Sequence, residues 1–270
     1  MAWEPTHITR YVEARQSSTQ VVIVDTDQGR GFLKAMGNPE GEHALACDWV
    51  GTKLANWFGL LTFDQAIVDV DEFVEIKFIN GGMAEIGPAL LSRAISGEPW
   101  SGSKRQLKKI SNPDDISRLV VFDTWILNRD RYSTNRSNRD NVFLSTEFEK
   151  LNLLAIDHTH CFASSGGELT ERVSRIENCK DEAIYGLFPE FEQWLDRKVV
   201  SLCCDRLSKM NEGTAQSMIE TLPRRWKVSL KVKSALTNFI VQRAGFVSET
   251  IAEKLWPQRE LDFMDESKDN

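Results

Sequence analysis

The segment "FDTWILNRDRYSTNRSNRDNVFL", residues 122–144, constrains the fold more than any other stretch of the chain. Upstream, "SNPDDISRLVVFDTWIL" spaces Ile116, Leu119, Val120, Ile126 and Leu127 as a helix does. Asn112 is the expected N-cap, Pro113 the first helical residue, and Asp115 follows three residues after the cap. Downstream, "NVFL" and "LNLLAID" are short apolar runs joined by a polar link, which predicts a pair of strands. A helix that passes into a strand pair through two Arg–Asp pairs and four Asn residues frames that loop between two pieces of core. Loops are ordinary places for polar side chains. Read alone, Asp130 between Arg129 and Arg131 is an exposed turn acid. Asp157 is harder to dismiss, because an acid directly after "LLAI" lies near a core and needs a partner there.

The region before this segment reads as strands. "TQVVIVDTDQGRGFLKAM" is two apolar runs around the turn-rich Asp25–Gly29 cluster, a hairpin pattern. A helix follows from about Glu42 to Phe58, with Leu45, Trp49, Leu54, Trp57 and Phe58 as core candidates and Gly59 as its stop. "QAIVDV" and "FVEIKFI" read as two more strands, the second broken by Gly81-Gly82. Residues 176–256 supply about four helices, stopped at Trp256-Pro257. The expected fold is therefore α+β, with a β-rich part carrying one helix over 1–80 and a mostly helical part over 81–256. Residues 257–270, ending "DFMDESKDN", form an acidic tail.

With 270 residues, 41% hydrophobic, the chain can bury a large core, either as one two-lobed domain or as two small ones. Its net charge of −7 argues against direct nucleic-acid binding, which needs a basic footprint. The local basic run from Arg224 to Lys227, with Lys231 and Lys233, reads as a solvated helix start. There is no apolar run long enough to span a membrane and no secretory h-region in "MAWEPTHITRYVEARQ". Cys47, Cys161, Cys179, Cys203 and Cys204 are odd in number and follow no framework spacing, so they fit buried thiols in a reducing cytoplasm. His158 and His160 would fall on one strand face with Cys161 behind, but a third and fourth zinc ligand at a sensible spacing are missing. Neither a Gly-x-Ser-x-Gly elbow nor a Gly-rich dinucleotide fingerprint occurs.

The loop gains a chemical reading from phosphoryl transfer. That reaction needs a carboxylate beside the attacking hydroxyl, plus an amide oxygen and a second carboxylate to hold magnesium against the phosphates. Protein kinases draw these from a loop Asp, an Asn at the mouth of a strand, and an Asp just after the next strand. This chain has them in order: Asp130, then Asn141 opening "VFL", then Asp157 closing "LLAI". Upstream, "GRGFLKAM" ends a strand with Lys34, where a kinase keeps its phosphate-pairing lysine. Its orienting acid on the following helix is Asp48 by position, with Glu42 as the alternative. Aspartate is the shorter acid, which favours a loose or water-bridged pair.

Taken together, "GFLK", "CDWVGTKLANWFGL", "GPALLSRA", "FDTWILNRDRY…N" and "LLAIDHTHCF" resemble the HipA-like kinase group, over residues 16–162. The resemblance implies a two-lobed protein-kinase-like fold and ATP and Mg2+ as cofactors. It implies Lys34 on the phosphates, Asp130 as the catalytic carboxylate and Asp157 as a metal-binding acid. For the metal-binding amide, Asn135 keeps the family's distance from Asp130, whereas Asn141 keeps its place at the mouth of a strand and is preferred. Ser17, Ser18 and Thr19 fall on the phosphate-covering segment, which in this family can itself be autophosphorylated. Here that segment, "QSSTQVV", has no glycine, so close backbone approach to phosphates is harder. The expected activity is transfer of the ATP γ-phosphate to a Ser or Thr hydroxyl of a protein, itself included, in the cytoplasm. A small-molecule or lipid kinase and a pseudokinase binding module are the alternatives. The family also suggests an antitoxin-type protein partner.

Overall fold

Alternating apolar residues build an antiparallel sheet at the N-terminal end of the chain. In the computed structural model, which describes residues 3–147, 149–162 and 168–257, its strands are β1 (Ile8–Ala14), β2 (Val22–Thr26), β3 (Gly29–Lys34), β4 (Gln65–Val70) and β5 (Gly87–Arg93). Their order in space is β1-β2-β3-β5-β4. The two-residue turn Asp27-Gln28 joins β2 to β3, and Gly29, the first residue of β3, takes a left-handed φ of 106°. Alternation then divides the side chains. Val22, Val24, Leu33, Val68, Val70 and Leu91 pack with Ile8, Ile76 and Phe78 on one face. Val21, Ile23, Phe32, Lys34, Gln65 and Ser92 line a cavity on the other.

Helix α1 (Glu42–Phe58) follows β3 and ends at Gly59, whose left-handed φ of 93° lets its N–H bond the Ala55 carbonyl. Beyond the sheet come β6 (Gly97–Pro99), α2 (Lys104–Leu107) and α3 (Asp114–Trp125). The loop after α3 holds the two-stranded hairpin β7 (Tyr132–Ser133) and β8 (Arg136–Ser137). Strands β9 (Val142–Ser145) and β10 (Asn152–Ala155) then pair, with β6 alongside β9. Among the described residues the C-terminal region is completed by the α-helices α4 (Ile176–Cys179), α5 (Arg197–Leu207), α6 (Glu212–Ile219) and α7 (Leu230–Leu255).

One large core runs through α1, α3, the β9–β10 pair and α5–α7, with Leu54, Phe122, Trp125, Leu144, Phe239 and Ile240 fully buried. Buried Trp N–H groups need acceptors. Trp125 Nε1 donates to the Ile240 carbonyl at 2.9 Å, fastening α3 to α7, and Trp226 Nε1 donates to the Pro88 carbonyl at 2.9 Å, fastening the C-terminal region to β5.

Several sequence expectations need correction. "FVEIKFI" is not a strand: it makes one isolated bridge, Lys77 to Met83. Its alternation is real, since Ile76 and Phe78 are buried while Phe73 is 84% exposed, but among the described residues its backbone-to-backbone bonds run to the chain just after it. The fifth strand of the sheet is instead β5, which lies beyond residue 80. Asn112 does not cap α3 with its side chain. Its amide bonds β10 instead, giving Nδ2 to the Leu153 carbonyl at 2.9 Å and accepting the Leu153 N–H at 2.8 Å. The helix begins at Asp114 and ends at Trp125, because Leu127 turns left-handed at φ 51° to start the polar loop. His158 and His160 follow the end of β10 and share no strand face. Of the basic run, Arg224 and Arg225 form a short 3-10 turn with buried Trp226, while Lys231 and Lys233 do lie at the start of α7.

No disulfide forms among the described cysteines, and among the described residues no helix is long and apolar enough to cross a membrane. The acidic tail lies outside the described residues beyond Pro257.

Candidate active site

Because β3 alternates, Lys34 points into the cavity beneath the sheet, a space of about 490 Å³. Its ammonium donates to three oxygens: Asp48 Oδ2 at 2.7 Å, Asp157 Oδ1 at 2.9 Å and Thr159 Oγ1 at 2.9 Å. Three donors on three acceptors exhaust a lysine. Glu42, the alternative partner, instead pairs with Lys227 at 2.6 Å. Burial alone would lower the Lys34 pKa, but the Asp157 and Asp48 carboxylates outweigh it and hold it raised. Asp48 is likewise opposed by burial, yet Lys34 and His158 keep it well below the usual carboxylate range. Asp157 is lowered too, desolvation being outweighed chiefly by Lys34.

Asp157, two residues beyond the end of β10, adopts a left-handed backbone, φ 56°. Its carboxylate is 35% exposed, and only Oδ1 is engaged by the described residues. The residues after it are held against α1. The His158 N–H donates to Asp48 Oδ1 at 3.1 Å, and His158 Nδ1 lies 3.2 Å from Thr52 Oγ1. The His158 side chain is buried against Gly51, with its ring edge-on to Phe122.

On the other strand end, Asn141 precedes β9 and Asp130 lies in the loop after α3. Both are buried. Asp130 Oδ2 accepts from Asn141 Nδ2 at 2.9 Å and from Asn138 Nδ2 at 3.0 Å. Asp130 Oδ1 faces Arg136 Nη2 at 2.6 Å. Asn135 lies exposed at the tip of the β7–β8 hairpin and, among the described residues, shares no hydrogen bond with this cluster.

What joins the two halves is Arg131, which sequence reasoning passed over. It is fully buried. Its Nε donates to Asp123 Oδ2 at 2.7 Å, while its Nη1 donates to the carbonyls of Asn141 and Ile156, the latter at 3.0 Å. Ile156 N–H also donates to the Asn141 carbonyl at 3.3 Å. The residue before Asp157 is thereby tied to Asn141 itself. The only sequence signal for this was an arginine placed between two apolar segments. Asp130 and Asn141 do not line the cavity, whereas Lys34, Asp48 and Asp157 do.

The cavity walls are apolar. Phe32 and Phe63 stack at 6.2 Å between ring centroids, and Phe63 meets Phe143 edge-on at 5.1 Å. The segment bearing Ser17, Ser18 and Thr19 turns at the edge of this space, next to lining residues Arg15 and Val21. It closes on itself without glycine. Ser17 Oγ accepts the Val21 N–H at 2.9 Å, and Gln20 takes the left-handed position at φ 53°. Ser18 is exposed, and Thr19 is buried.

A strand lysine paired to a helix acid, facing an acid behind a strand pair, is an arrangement built for phosphates. The family model for HipA-like kinases matches residues 8–258. The chain belongs to the HipA-like kinase family. Among solved structures, the fold resembles the Helicobacter pylori proinflammatory kinase CtkA, with a TM-score of 0.58 at 13% identity, covering 96% of this chain and 100% of that one. No curated protein matches the chain. The β-sheet N-terminal region and helical C-terminal region are thus those of a HipA-like kinase, and this site is its candidate active site.

Proposed function

We propose that this HipA-like kinase transfers the γ-phosphoryl group of ATP, with magnesium, to a Ser or Thr hydroxyl of a protein, its own Ser18 included. The observation that carries the reading is the contact of one lysine with both Asp48 and Asp157 at the wall of an apolar cavity. In this reading the base stacks among Phe32, Phe63 and Phe143. Lys34 keeps its bond to Asp48 and exchanges Asp157 for the phosphates. Asp130 accepts the hydrogen bond of the acceptor hydroxyl. Most of the rate gain then comes from position and charge neutralisation.

The residues present fit magnesium, a hard cation that takes oxygen ligands. Asp157 keeps its second carboxylate oxygen unengaged by the described residues, and Asn141 spends its amide nitrogen on Asp130, which leaves its amide oxygen as the ligand atom. When bound, the ion would neutralise phosphate charge. Asn141 and Asp157 would hold it from the adjoining ends of β9 and β10.

Incubation with radiolabelled ATP, followed by mass spectrometry of the protein, tests the reading. Asp130→Asn and Asp157→Asn abolish label transfer in proteins that still unfold cooperatively. Full activity in either variant removes the assignment, and transfer to sugars or lipids but not to proteins would change the acceptor class.

A further inference from the structure

The Asp130 carboxylate is asymmetrically held. Oδ2 accepts from two amides, Asn138 and Asn141, whose positions are fixed next to β8 and β9. Oδ1 is buried, accepts no aligned hydrogen bond among the described residues, and is compensated only by the charge of Arg136 at 2.6 Å. Oδ1 is therefore the oxygen with a lone pair to offer an acceptor hydroxyl. A hydroxyl that reaches it must do so beside, or in place of, the Arg136 guanidinium.

Arg136 differs from its neighbours. Arg129 pairs with Asp181, Arg131 with Asp123 and Arg139 with Glu190. Each of those acids lies outside the reacting group. Among the described residues Arg136 alone is ion-paired to Asp130, and its side chain is 59% exposed on the β7–β8 hairpin. The base of that hairpin is anchored, with the Tyr132 ring 4.9 Å from Phe188 and the Tyr132 carbonyl accepting the Gly186 N–H at 3.0 Å. Its free element is the arginine side chain. When a hydroxyl takes over Oδ1, the displaced guanidinium is left next to the acceptor oxygen, and the phosphoryl group must arrive there. Asp181, Asp123 and Glu190 already hold their own arginines, so none of these three competes with the phosphoryl oxygens for the displaced guanidinium.

We propose that Arg136 is a catalytic arginine supplied in cis: it compensates Asp130 at rest and moves onto the transferred phosphoryl group when the acceptor binds. This rests on the kinase reading given above. In the step, the acceptor O–H gives its proton to Asp130 and its oxygen bonds the γ-phosphorus. The bond from that phosphorus to the β–γ bridging oxygen breaks, and its electron pair leaves with ADP. Charge accumulates on the equatorial oxygens, where a planar fork of donors acts best.

The test compares wild type, Arg136→Ala and Arg136→Lys, incubated with labelled ATP alone and with casein as a serine-rich acceptor. Arg136→Ala lowers kcat by roughly two orders of magnitude with KM for ATP little changed, and Arg136→Lys falls between because it restores charge without the fork. A second readout needs no turnover: magnesium-ADP with aluminium fluoride raises the melting temperature beyond magnesium-ADP alone in wild type, and this increment is lost in Arg136→Ala. Removing Arg136 takes the compensating charge from Asp130 Oδ1, so the fluoride increment is read in each protein against its own ligand-free melting temperature. Unchanged or faster transfer in Arg136→Ala, or an undiminished fluoride increment, overturns the proposal and leaves the kinase reading standing. Absence of both nucleotide binding and transfer in wild type removes that reading and this inference together.

Discussion

Gly51 offers a sharp test of how the two halves of the site are joined. A Cβ at this position on α1 would lie 2.4 Å from His158 Cβ and 3.0 Å from His158 Cγ. Carbon atoms prefer about 3.5–4.0 Å, so Gly51→Ala demands a separation of about 1 Å. Rotating His158 does not help, because the first clash is with an atom fixed to the backbone. The strain therefore falls on α1 or on the segment after Asp157. Overpacking costs about 1–3 kcal/mol, and the better helix propensity of alanine returns about 1 kcal/mol. The net loss is about 0–2 kcal/mol, or at most about 8 °C in Tm for a chain of this size. Activity suffers more. Asp48 lies on the same helix, 2.7 Å from Lys34 and 3.1 Å from the His158 N–H. A displacement of about 1 Å at a positioning group can cost about 100-fold in rate. Gly245→Ala, on α7 with nothing within 4 Å of its Cβ, is the matched control. It should gain up to about 1 kcal/mol with unchanged transfer. Calorimetry and labelled-ATP transfer read both variants. If Gly51→Ala gains stability as Gly245→Ala does and keeps full transfer, α1 does not pack on His158 and the argument fails.

Three further outcomes follow from the same geometry. Asp123→Asn leaves Arg131 buried without its carboxylate and should cost about 3–5 kcal/mol in urea unfolding, whereas Asp123→Leu combined with Arg131→Met should cost less than the two single changes summed. The Lys34 triad has a defined pH signature. Its lowered aspartates contribute fully above the ordinary value of 3.8 and lose that contribution as pH falls through their folded values, while raised Lys34 contributes fully below 10.5 and loses it as pH rises through its folded value. The Tm difference between wild type and Lys34→Met should accordingly stay flat from about pH 5 to about pH 9 and shrink on the acid side first. Burial pushes the Cys203 thiol up to about 12 and raises Cys179 and Cys204 as well. Iodoacetamide near neutral pH should therefore label the native protein slowly, Cys204 before Cys203, with prompt labelling only after unfolding.

The order of helix, polar loop and strand pair could be read from sequence because each part has its own local signal: helical spacing in α3, short apolar runs in β9 and β10, and an acid directly after an apolar run. The contacts between those parts had no such signal. Arg131 occupies an ordinary place in a charged loop, and only closure of β9 and β10 over it turns it into a buried clamp on two carbonyls. Asn112 carries a good N-cap residue type, but its amide is drawn to the Leu153 backbone, where an unpaired strand N–H and carbonyl outweigh a helix end that water can solvate. "FVEIKFI" has the period of a strand, yet it is β5 that pairs with β4, and this segment makes only the bridge to Met83. Periodicity reports which side chains are buried, and pairing is decided elsewhere.

The lysine pair shows the same division between local and tertiary causes. From the sequence alone, a short aspartate opposite Lys34 suggested a loose or water-bridged contact, yet the two groups meet directly at 2.7 Å. Gly51 lies three residues after Asp48, on the same face of α1. With no side chain there, the helix backbone comes down onto His158 by the length that a Cβ would have occupied. That approach carries Asp48 toward β3 and supplies the reach its shorter side chain lacks. The same approach allows the His158 N–H to hold the other Asp48 oxygen, so the acid is oriented by the segment that carries Asp157. Aspartate at 48 and glycine at 51 are thus one structural solution. A helix set farther out would need a longer acid at 48, and it would lose the bond that makes the lysine, the helix and the strand-end acid respond together.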